Sequence, residues 1–346
     1  MWFKNEAAHI DPSILQQAQS HQLTLTKPPG ALGALENVAI TLAGYQGKIK
    51  PELNDISISI FAGDHGVANK GVSAFPQAVT AEMVKNFAAG GAAISVLAKQ
   101  LDAQFEVVNM GTVFDVPKHE SIIDAQVAAG TQDFSETSAM TTEQLHQAMD
   151  AGKQAALRAK SNGSQLFIGG EMGIGNTTSA SAIAAAYLSI APSELVGPGT
   201  GLDVSKLPFK AQVIEQALAL HTSKEPMDIL KNLGGFEIAG LVGAYIQCAQ
   251  QGMPVLVDGF ISSAAALMAV AINASIRPWL MFSHESAEPG HQAILTQLEA
   301  SPLLNIGMRL GEGSGAAVTV SLMQSAVKLH NEMATFEAAG VSEKES

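Results

Sequence analysis

The 346-residue sequence is poor in residue types that define whole classes of protein. Its single cysteine, Cys248, excludes an internal disulfide framework and a cysteine-rich metal cluster. Basic residues are also scarce, since 19 Lys and Arg stand against 32 Asp and Glu, for a net charge of −13. A surface of this sign does not suit nucleic acids or anionic membranes, so we expect neither as a partner.

Long apolar runs and targeting signals are missing as well. The most apolar stretch, residues 255–274, contains Asp258 and is dominated by alanine, so it falls short of the about 20 strongly apolar residues of a membrane span. The N-terminal residues show no basic region followed by an apolar core, so we find no signal peptide. With 47% hydrophobic and 15% charged residues, the chain is predicted to be a well-buried globular enzyme of the cytoplasm.

The apolar patterns alternate in a way that predicts an α/β fold. Strand candidates are followed by helix candidates along most of the chain; the strands are 56–61, 105–109, 165–168, 255–257 and 280–282, and the helices are 80–87, 91–101, 141–160, 176–187, 210–222, 235–250 and 261–274. This order predicts a doubly wound, mainly parallel sheet with helices on both faces.

Both chain ends read as helical, with candidates from Asp11-Pro12, over 32–45 and over 314–336. We therefore predict a small helical domain built from residues 1–50 and 320–346, beside a large α/β catalytic domain of residues 51–319. The acidic end of the chain, from residue 340, is expected to fray.

Glycine is abundant, with 32 residues, and it is concentrated in turns that carry polar side chains. The turn 169–178 lies between a strand and an Ala-rich helix, so its N–H groups and the helix N-terminus predict a phosphate site. Glu171 would repel a phosphate, which indicates chemistry beside the anion. The alternative is an ordinary strand-to-helix turn that Asn176 or Thr177 caps.

Three further segments carry candidate site residues. Lys210 follows the glycine-rich turn 197–203, and it either reaches the phosphate or is a solvated surface lysine. Glu312 stands among glycines in 311–315 and projects into a cleft, unless it is an exposed residue at a helix N-terminus. Residues 71–77 suit a flat heteroaromatic ligand or form an ordinary loop.

Polar residues directly follow four predicted strands, at 63–65, 169–171, 258–259 and 283–285. Since ligands bind at the carboxyl edge of open parallel sheets, we expect the site there. His65, His284 and His291 lack the spacing of a metal site, so we expect histidines that form structural hydrogen bonds, and no metal.

These segments, in this order, resemble the nicotinate-nucleotide–dimethylbenzimidazole phosphoribosyltransferase family from about residue 25 to residue 316. The stretches that carry the resemblance are LTKPPGALG from Leu25, AGDHGV from Ala62, GVSAFPQ from Gly71, GGEMGIGNTT from Gly169, GTGLD from Gly199, VDGF from Val257, SHESAEPGH from Ser283 and MRLGEG from Met308. The chain departs from the family pattern at Ala31, Ala34 and Pro198, where Ser, Arg and Arg are expected.

The resemblance implies a homodimer without metal or cofactor that transfers phosphoribose from nicotinate mononucleotide to 5,6-dimethylbenzimidazole. It implies Glu312 as the catalytic base and Glu171 as a second catalytic carboxylate. The substrate-binding residues that it implies are Ser73, Phe75, Gln77, Gly173, Gly175, Asn176, Thr177, Thr178, Gly201, Lys210, Ser286 and Leu310. The preferred base stays open between dimethylbenzimidazole, other benzimidazoles, adenine and phenols, as does any contribution of a second subunit to the site.

Two other functions compete with this one. A nicotinamide-dependent oxidoreductase would need a dinucleotide fingerprint, which the sequence does not contain. A non-catalytic nucleotide-binding regulator would gain little from carboxylates beside a phosphate.

Overall fold

Six parallel strands form one sheet in the order β3–β2–β1–β4–β5–β6 in the computed structural model, which describes residues 1–342. The strands are β1 (Ile56–Gly63), β2 (Gln104–Gly111), β3 (Ile122–Asp124), β4 (Leu166–Met172), β5 (Val255–Val257) and β6 (Leu280–Phe282). The predicted doubly wound α/β class is confirmed. The strand order reverses between β1 and β4, which is where open sheets of this kind bind ligands.

Helices cover both faces of the sheet. The α-helices of the described residues are α1 (Pro12–Thr24), α2 (Ala34–Gln46), α3 (Ala78–Ala88), α4 (Ala93–Gln100), α5 (Thr142–Ser161), α6 (Asn176–Leu188), α7 (Pro192–Leu195), α8 (Leu207–Leu220), α9 (Pro226–Leu233), α10 (Phe236–Gln250), α11 (Phe260–Ile272), α12 (His291–Gln297), α13 (Ser314–Glu332) and α14 (Phe336–Ala339). Short 3-10 helices span Trp2–Lys4, Gly66–Lys70, Val204–Lys206 and Ala274–Trp279. Within residues 1–342, no helix is long and apolar enough to cross a membrane.

The alternating side chains of β1 separate the two apolar cores. Ile58 and Ile60 pack with α2, α3, α4 and α13 on one face, while Phe61 packs with α5, α6, α10 and α11 on the other. Ser57 and Ser59 alternate with the isoleucines and are also buried, hydrogen-bonded to neighbouring side chains. Both faces of the strand are therefore covered, as in other parallel sheets.

Strand β4 is longer than the sequence predicted. The strand expected over 165–168 continues to Met172 in register with β1, so Gly169-Gly170-Glu171 is part of the strand and not the turn after it. A Cβ on Gly170 would lie 2.6 Å from the carbonyl carbon of Glu312. The glycine therefore permits a close backbone approach inside the sheet, and the turn begins only at Gly173.

The two chain ends meet in space. Leu25 and Thr335 form an antiparallel bridge, and α2 packs against α13. Helix α13 ends at Glu332, before the predicted end at 336, because the next residue leaves the helical conformation. The predicted domain boundary at 319/320 falls inside α13, and the division into two domains stays a prediction; residues 343–346 of the predicted tail lie outside the described residues.

Candidate active site

A cavity of about 180 Å³ opens at the carboxyl edge of β4, β5 and β6. Eight of the site residues that the sequence predicted line it: Phe75, Glu171, Gly173, Asn176, Thr177, Ser286, Leu310 and Glu312. Six others stand outside its lining in the described part of the chain: Ser73, Gln77, Gly175, Thr178, Gly201 and Lys210. The expected edge of the sheet therefore holds the cavity, with part of the predicted set behind its walls.

One end of the cavity is the N-terminus of α6. Its N-cap residue, Gly175, has φ 97°, and no side chain of the described residues caps this helix. The turn before it is fixed, since Ile174 N donates to Thr80 Oγ1 (3.1 Å) and a Cβ on Gly173 would clash with the Gly63 carbonyl oxygen. The N–H groups of Asn176 and Thr178 donate to the carbonyl oxygens of Gly173 and Gly175. The partial positive charge of the helix N-terminus is therefore what favours an anion at this end of the cavity.

Lys210 lies behind this helix start. Its side chain is buried, and Nζ donates to Thr177 Oγ1 (2.9 Å) and to the Gly197 carbonyl oxygen (3.0 Å). Burial lowers the pKa of Lys210 to about 8, although the charge of Glu288 acts in the opposite direction. The alternative of a solvated surface lysine is therefore wrong, and Lys210 reaches the cavity through the hydroxyl of Thr177.

Arg309 and Glu288 line the cavity beside this end, and the sequence analysis gave neither a role. Glu288 Oε1 accepts the N–H of Gly199 (3.0 Å), and Arg309 Nη1 donates to the Gly199 carbonyl oxygen (3.0 Å). Arg309 thereby joins the segment before Glu312 to the glycine-rich turn near α6. Gly201 is exposed on the outer side of that turn, with φ 110°.

Glu312 also lines the cavity. This residue has φ 63°, between Gly311 and Gly313, which also have positive φ. The side chain is only 7% exposed, and Oε2 has no hydrogen-bond partner within the described structure. The alternative of an exposed surface Glu is therefore wrong. Burial, helped by the charge of Asp258, raises the pKa of Glu312 to about 7, which suits a group that accepts a proton near neutral pH.

Glu171 lies beside Glu312 at the end of β4. Its carboxylate accepts a hydrogen bond from the side-chain amide of Asn176. Burial raises the pKa of Glu171 well above its usual range, and the charges of Glu237, Asp258 and Glu312 act in the same direction. Burial and these neighbouring charges therefore favour the protonated form of this carboxyl group.

Asp258 follows β5 and holds the start of α13. Its Oδ2 accepts the N–H of Gly313 (3.2 Å) and its Oδ1 accepts that of Ala316 (2.8 Å). His284 Nε2 lies 3.6 Å from Oδ1. Burial opposes the charged imidazole, but the nearby Asp258 carboxylate outweighs it and raises the pKa of His284. The sequence marked Asp258 only as an acidic residue directly after a predicted strand, and this position did not reveal its hydrogen-bond partners.

Apolar side chains form the wall nearest the mouth. Val79 and Met83 of α3 line it together with Phe75 and Leu310, which are about half exposed. Ser73 Oγ accepts the N–H of Phe75 (3.3 Å), so it supports the loop from outside the cavity. This wall suits a flat apolar ring.

The polar residues after β1 hold the backbone and do not face the cavity. His65 Nε2 and Glu237 Oε1 are 2.6 Å apart, and both side chains are fully buried. Gln77 Nε2 donates to the His65 carbonyl oxygen (2.8 Å), while Asp64 Oδ2 accepts the N–H of Val113 (2.8 Å). Gln77, predicted in the base pocket, therefore lies against the loop that follows β1.

His291 supports Ser286 at the cavity wall. Its Nδ1 accepts the N–H of Ser286 (2.8 Å), and its Nε2 lies 2.9 Å from Ser263 Oγ. Burial lowers the pKa of His291 to about 4, so the ring is neutral at pH 7. Among residues 1–342, no group of three or more His, Cys, Asp or Glu side chains is arranged to hold a metal ion.

Comparisons with known proteins agree over nearly the whole chain. The phosphoribosyltransferase family model DBI_PRT matches residues 7–341. The nicotinate-nucleotide–dimethylbenzimidazole phosphoribosyltransferase of Pseudomonas fluorescens Pf-5 is 54% identical over 345 residues, covering 99% of this chain and 98% of that protein. The protein of the same name from Pseudomonas aeruginosa LESB58 is 53% identical with the same coverage.

Solved structures give the same answer. The crystal structure of the nicotinate-nucleotide–dimethylbenzimidazole phosphoribosyltransferase of Thermus thermophilus matches with a TM-score of 0.92 and 41% identity, covering 97% of this chain and 100% of that one. A second structure from this organism, named CobT, matches with a TM-score of 0.93 at the same identity, covering 96% of this chain and 100% of that one. These matches favour group transfer over the oxidoreductase and the non-catalytic regulator.

Proposed function

The chain belongs to the nicotinate-nucleotide–dimethylbenzimidazole phosphoribosyltransferase family, and we propose that its cavity transfers 5-phosphoribose from nicotinate mononucleotide to 5,6-dimethylbenzimidazole. The products are α-ribazole 5′-phosphate and nicotinate, for assembly of the lower ligand of cobalamin. The observation that carries the assignment of roles is that one cavity is lined both by a helix N-terminus that no side chain caps and by the buried Glu312, whose Oε2 has no partner in the described structure.

The 5′-phosphate binds at the N-terminus of α6 in this proposal. This helix start lies beside the cavity, and Thr177, which lines the cavity, adds a hydroxyl that is already bonded to Lys210. The lysine supplies positive charge one side chain behind the phosphate. An anion is therefore bound locally although the chain has a net charge of −13.

The transfer itself exchanges one C–N bond for another at C1′ of the ribose. One nitrogen of the benzimidazole attacks C1′ from the face opposite the nicotinate, so the β-linkage becomes α. The bond to the pyridinium nitrogen breaks, and its electron pair returns to that ring, which leaves as nicotinate without needing a proton. The other benzimidazole nitrogen gives its proton to Glu312, a step that typically contributes about 10²–10⁴-fold.

Glu171 acts on the sugar in this proposal. As the old bond breaks, the ribose carbon becomes positively charged, as in glycoside hydrolysis. The pyridinium and this developing cation favour the ionised form of Glu171 and so act against burial and the charges of Asp258 and Glu312, which favour the protonated form. The carboxylate then stabilises the cation electrostatically.

The benzimidazole lies against the apolar wall of Phe75, Met83 and Leu310, and Ser286 lies across the same cavity. Ser73 and Gln77 contribute indirectly by supporting the loop that carries Phe75. Holding both substrates face to face supplies much of the remaining rate acceleration.

We further propose that the enzyme is a homodimer. Large apolar side chains are exposed beyond the cavity, among them Phe114, Val204 and Phe209, whose burial in an interface would be favourable. Light scattering at several protein concentrations tests this proposal, and a monomer mass throughout would contradict it. The cytoplasmic location and the two-domain division stay predictions.

Product analysis tests the function. Purified protein is incubated with nicotinate mononucleotide and, separately, dimethylbenzimidazole, other benzimidazoles, adenine or a phenol, and the products are identified by mass. We expect α-ribazole 5′-phosphate with dimethylbenzimidazole, and no product from the Glu312→Gln variant. Absence of any ribosylated product with all bases would contradict the function. Reduction of a nicotinamide coenzyme, followed by absorbance, would indicate the oxidoreductase instead.

A further inference from the structure

Helix α13 begins without a cap from its own sequence. Its N-cap residue is Gly313, which has no side chain, yet the N–H groups of a first helical turn need acceptors. Asp258, 55 residues earlier in the chain, supplies them by accepting the N–H groups of Gly313 and Ala316 with its two carboxylate oxygens. A single side chain from the end of β5 thus fixes the helix start that carries Glu312.

The Glu312 turn needs such support. A non-glycine residue at φ 63° is held there only when its surroundings fix it. On one side, Gly170 lets strand β4 touch the Glu312 backbone. On the other side, the Asp258 carboxylate bonds to the backbone of the residue that follows Glu312.

His284 holds Asp258 in turn. Its Nε2 lies 3.6 Å from Asp258 Oδ1, and its ring packs directly on α13, where a Cβ on Gly315 would clash with His284 Cδ2. The imidazole therefore lies beside the carboxylate at the helix start, where its positive form attracts the negative charge of Asp258.

We propose that Asp258, held by His284, is a positioning residue for the transfer reaction: it fixes the turn of Glu312 and sets the charge that Glu312 faces. The proposal rests on the role of Glu312 as the base. Asp258 is not itself the proton acceptor, because both of its oxygens are bonded to backbone N–H groups and the side chain is 1% exposed.

The charges around Glu312 come from each neighbouring strand. Glu171 lies at the end of β4, Asp258 follows β5 and His284 follows β6, while Glu288 and Arg309 also line the cavity. Asp258 is the neighbour whose charge raises the pKa of Glu312. A neutral residue of similar shape in place of Asp258 should have two effects. It should make Glu312 easier to ionise, and it should disturb the backbone turn that contains Glu312.

The test compares Asp258→Asn with wild type by steady-state kinetics over a pH range of about 5–9 with both substrates. We expect kcat to fall about 10- to 100-fold, as for a displaced catalytic group, with KM values within about threefold of wild type. The acid limb of the kcat/KM profile should move to lower pH by about one unit. Asp64→Asn is the matched control, since Asp64 is also buried and accepts a backbone N–H; its acid limb should not move.

An unmoved acid limb in Asp258→Asn, or a raised KM with unchanged kcat, would overturn the proposal. Asp258→Ser, which keeps a capping oxygen without the charge, provides the same readout should the Asn variant fail to fold. Glu312→Gln separates the two claims. If that variant retains activity, the base assignment fails; if it is inactive and the Asp258 variants keep the wild-type profile, only the positioning role fails.

Discussion

Helices α6 and α13 both begin at a glycine N-cap residue, but the two N-termini differ in whether another side chain caps them. Each follows a glycine with positive φ, Gly175 or Gly313, and neither has a cap from its own sequence. At α13 the protein closes the helix start with Asp258. At α6 no side chain of the described residues does so, and the cavity adjoins it.

This difference in capping shows how two helix N-termini of the same kind can serve different parts of one reaction. A helix start left open favours an anionic ligand, and in our proposal it binds the phosphate. A helix start closed by a buried carboxylate is rigid and negatively charged, so it presents a carboxyl group of raised pKa to the ring that loses a proton. The following predictions test this division between a binding end and a proton-accepting end.

The largest effect is expected at the closed end. Glu312→Gln keeps the shape of the side chain but accepts no proton, so kcat should fall by about 10²–10⁴-fold. Binding of nicotinate mononucleotide, measured by calorimetry, should stay close to wild type because the open end is untouched. Wild-type turnover in the purified variant would refute the assignment.

The pH dependence of the wild-type enzyme gives the next effect. Because Glu312 must be ionised to act and its pKa lies at about 7, activity should be retained above that pH and lost below it. We expect kcat/KM to fall by about a factor of ten for each pH unit below 7, to about 100-fold at pH 5. A profile that stays flat down to pH 5 would contradict the raised pKa.

A change at the open end should weaken binding and leave the proton-accepting end intact. Lys210→Met keeps the apolar stem but removes the ammonium behind Thr177, and should weaken nicotinate mononucleotide by about 10- to 100-fold. Affinity for dimethylbenzimidazole should hardly change. Lys206→Met, at an exposed position in the same region, is the control. Equal affinity of the two variants for nicotinate mononucleotide would show that Lys210 does not contribute to binding of the phosphate.

The buried carboxylate of Glu312 should also lower the free energy of unfolding once it is ionised, at high pH. The folded-state pKa of Glu312 is raised, so the stabilising effect of its protonated form is lost as the pH rises through about 7. Glu312→Gln should therefore raise the free energy of unfolding at pH 8 by about 1–3 kcal/mol, and by much less at pH 5. Denaturant unfolding at both pH values checks this, and an equal effect at both would contradict the buried charge.

The two glycines give the smallest effects and the most direct comparison. Ala at Gly175 or Gly313 strains a backbone of positive φ, at a cost of about 1–2 kcal/mol in stability. Thermal unfolding measures that cost, which should be similar in both variants. Kinetics should separate them: Gly175→Ala should mainly raise KM for the mononucleotide, and Gly313→Ala should mainly lower kcat. The same kinetic effect in both variants would contradict the proposal that the α6 start binds the mononucleotide and the α13 start positions the proton acceptor.

The sequence predicted the fold well where periodicity was strong. The bounds of β5 and β6 are those predicted, and α5 begins within one residue of its predicted start, after a capping box of Thr141 and Gln144. Strand β3 was missed because three residues at a sheet edge carry no detectable alternation. The end of β4 was missed because glycines that favour turns in isolation here allow close backbone contacts.

The site was only partly predictable because chain order does not show which side chains meet. Glycines flanking Glu312 indicated a functional carboxylate, and the structure places it in the cavity. Gln77 lies in a matching segment but bonds to the backbone after β1, and Lys210 lies behind Thr177. The partners of Asp258 are 55 and 58 residues away, a distance that no local pattern reveals.

The meeting of the chain ends has a consequence for synthesis on the ribosome. Helix α2 packs against α13, and Leu25 pairs with Thr335, so the first helices cannot complete their packing until the last ones have emerged. Glu312 enters the structure with that same late segment. A nascent chain that ends before residue 312 lacks both the proposed base and the helix on which α2 packs, so activity should appear only when the end of the chain has been made.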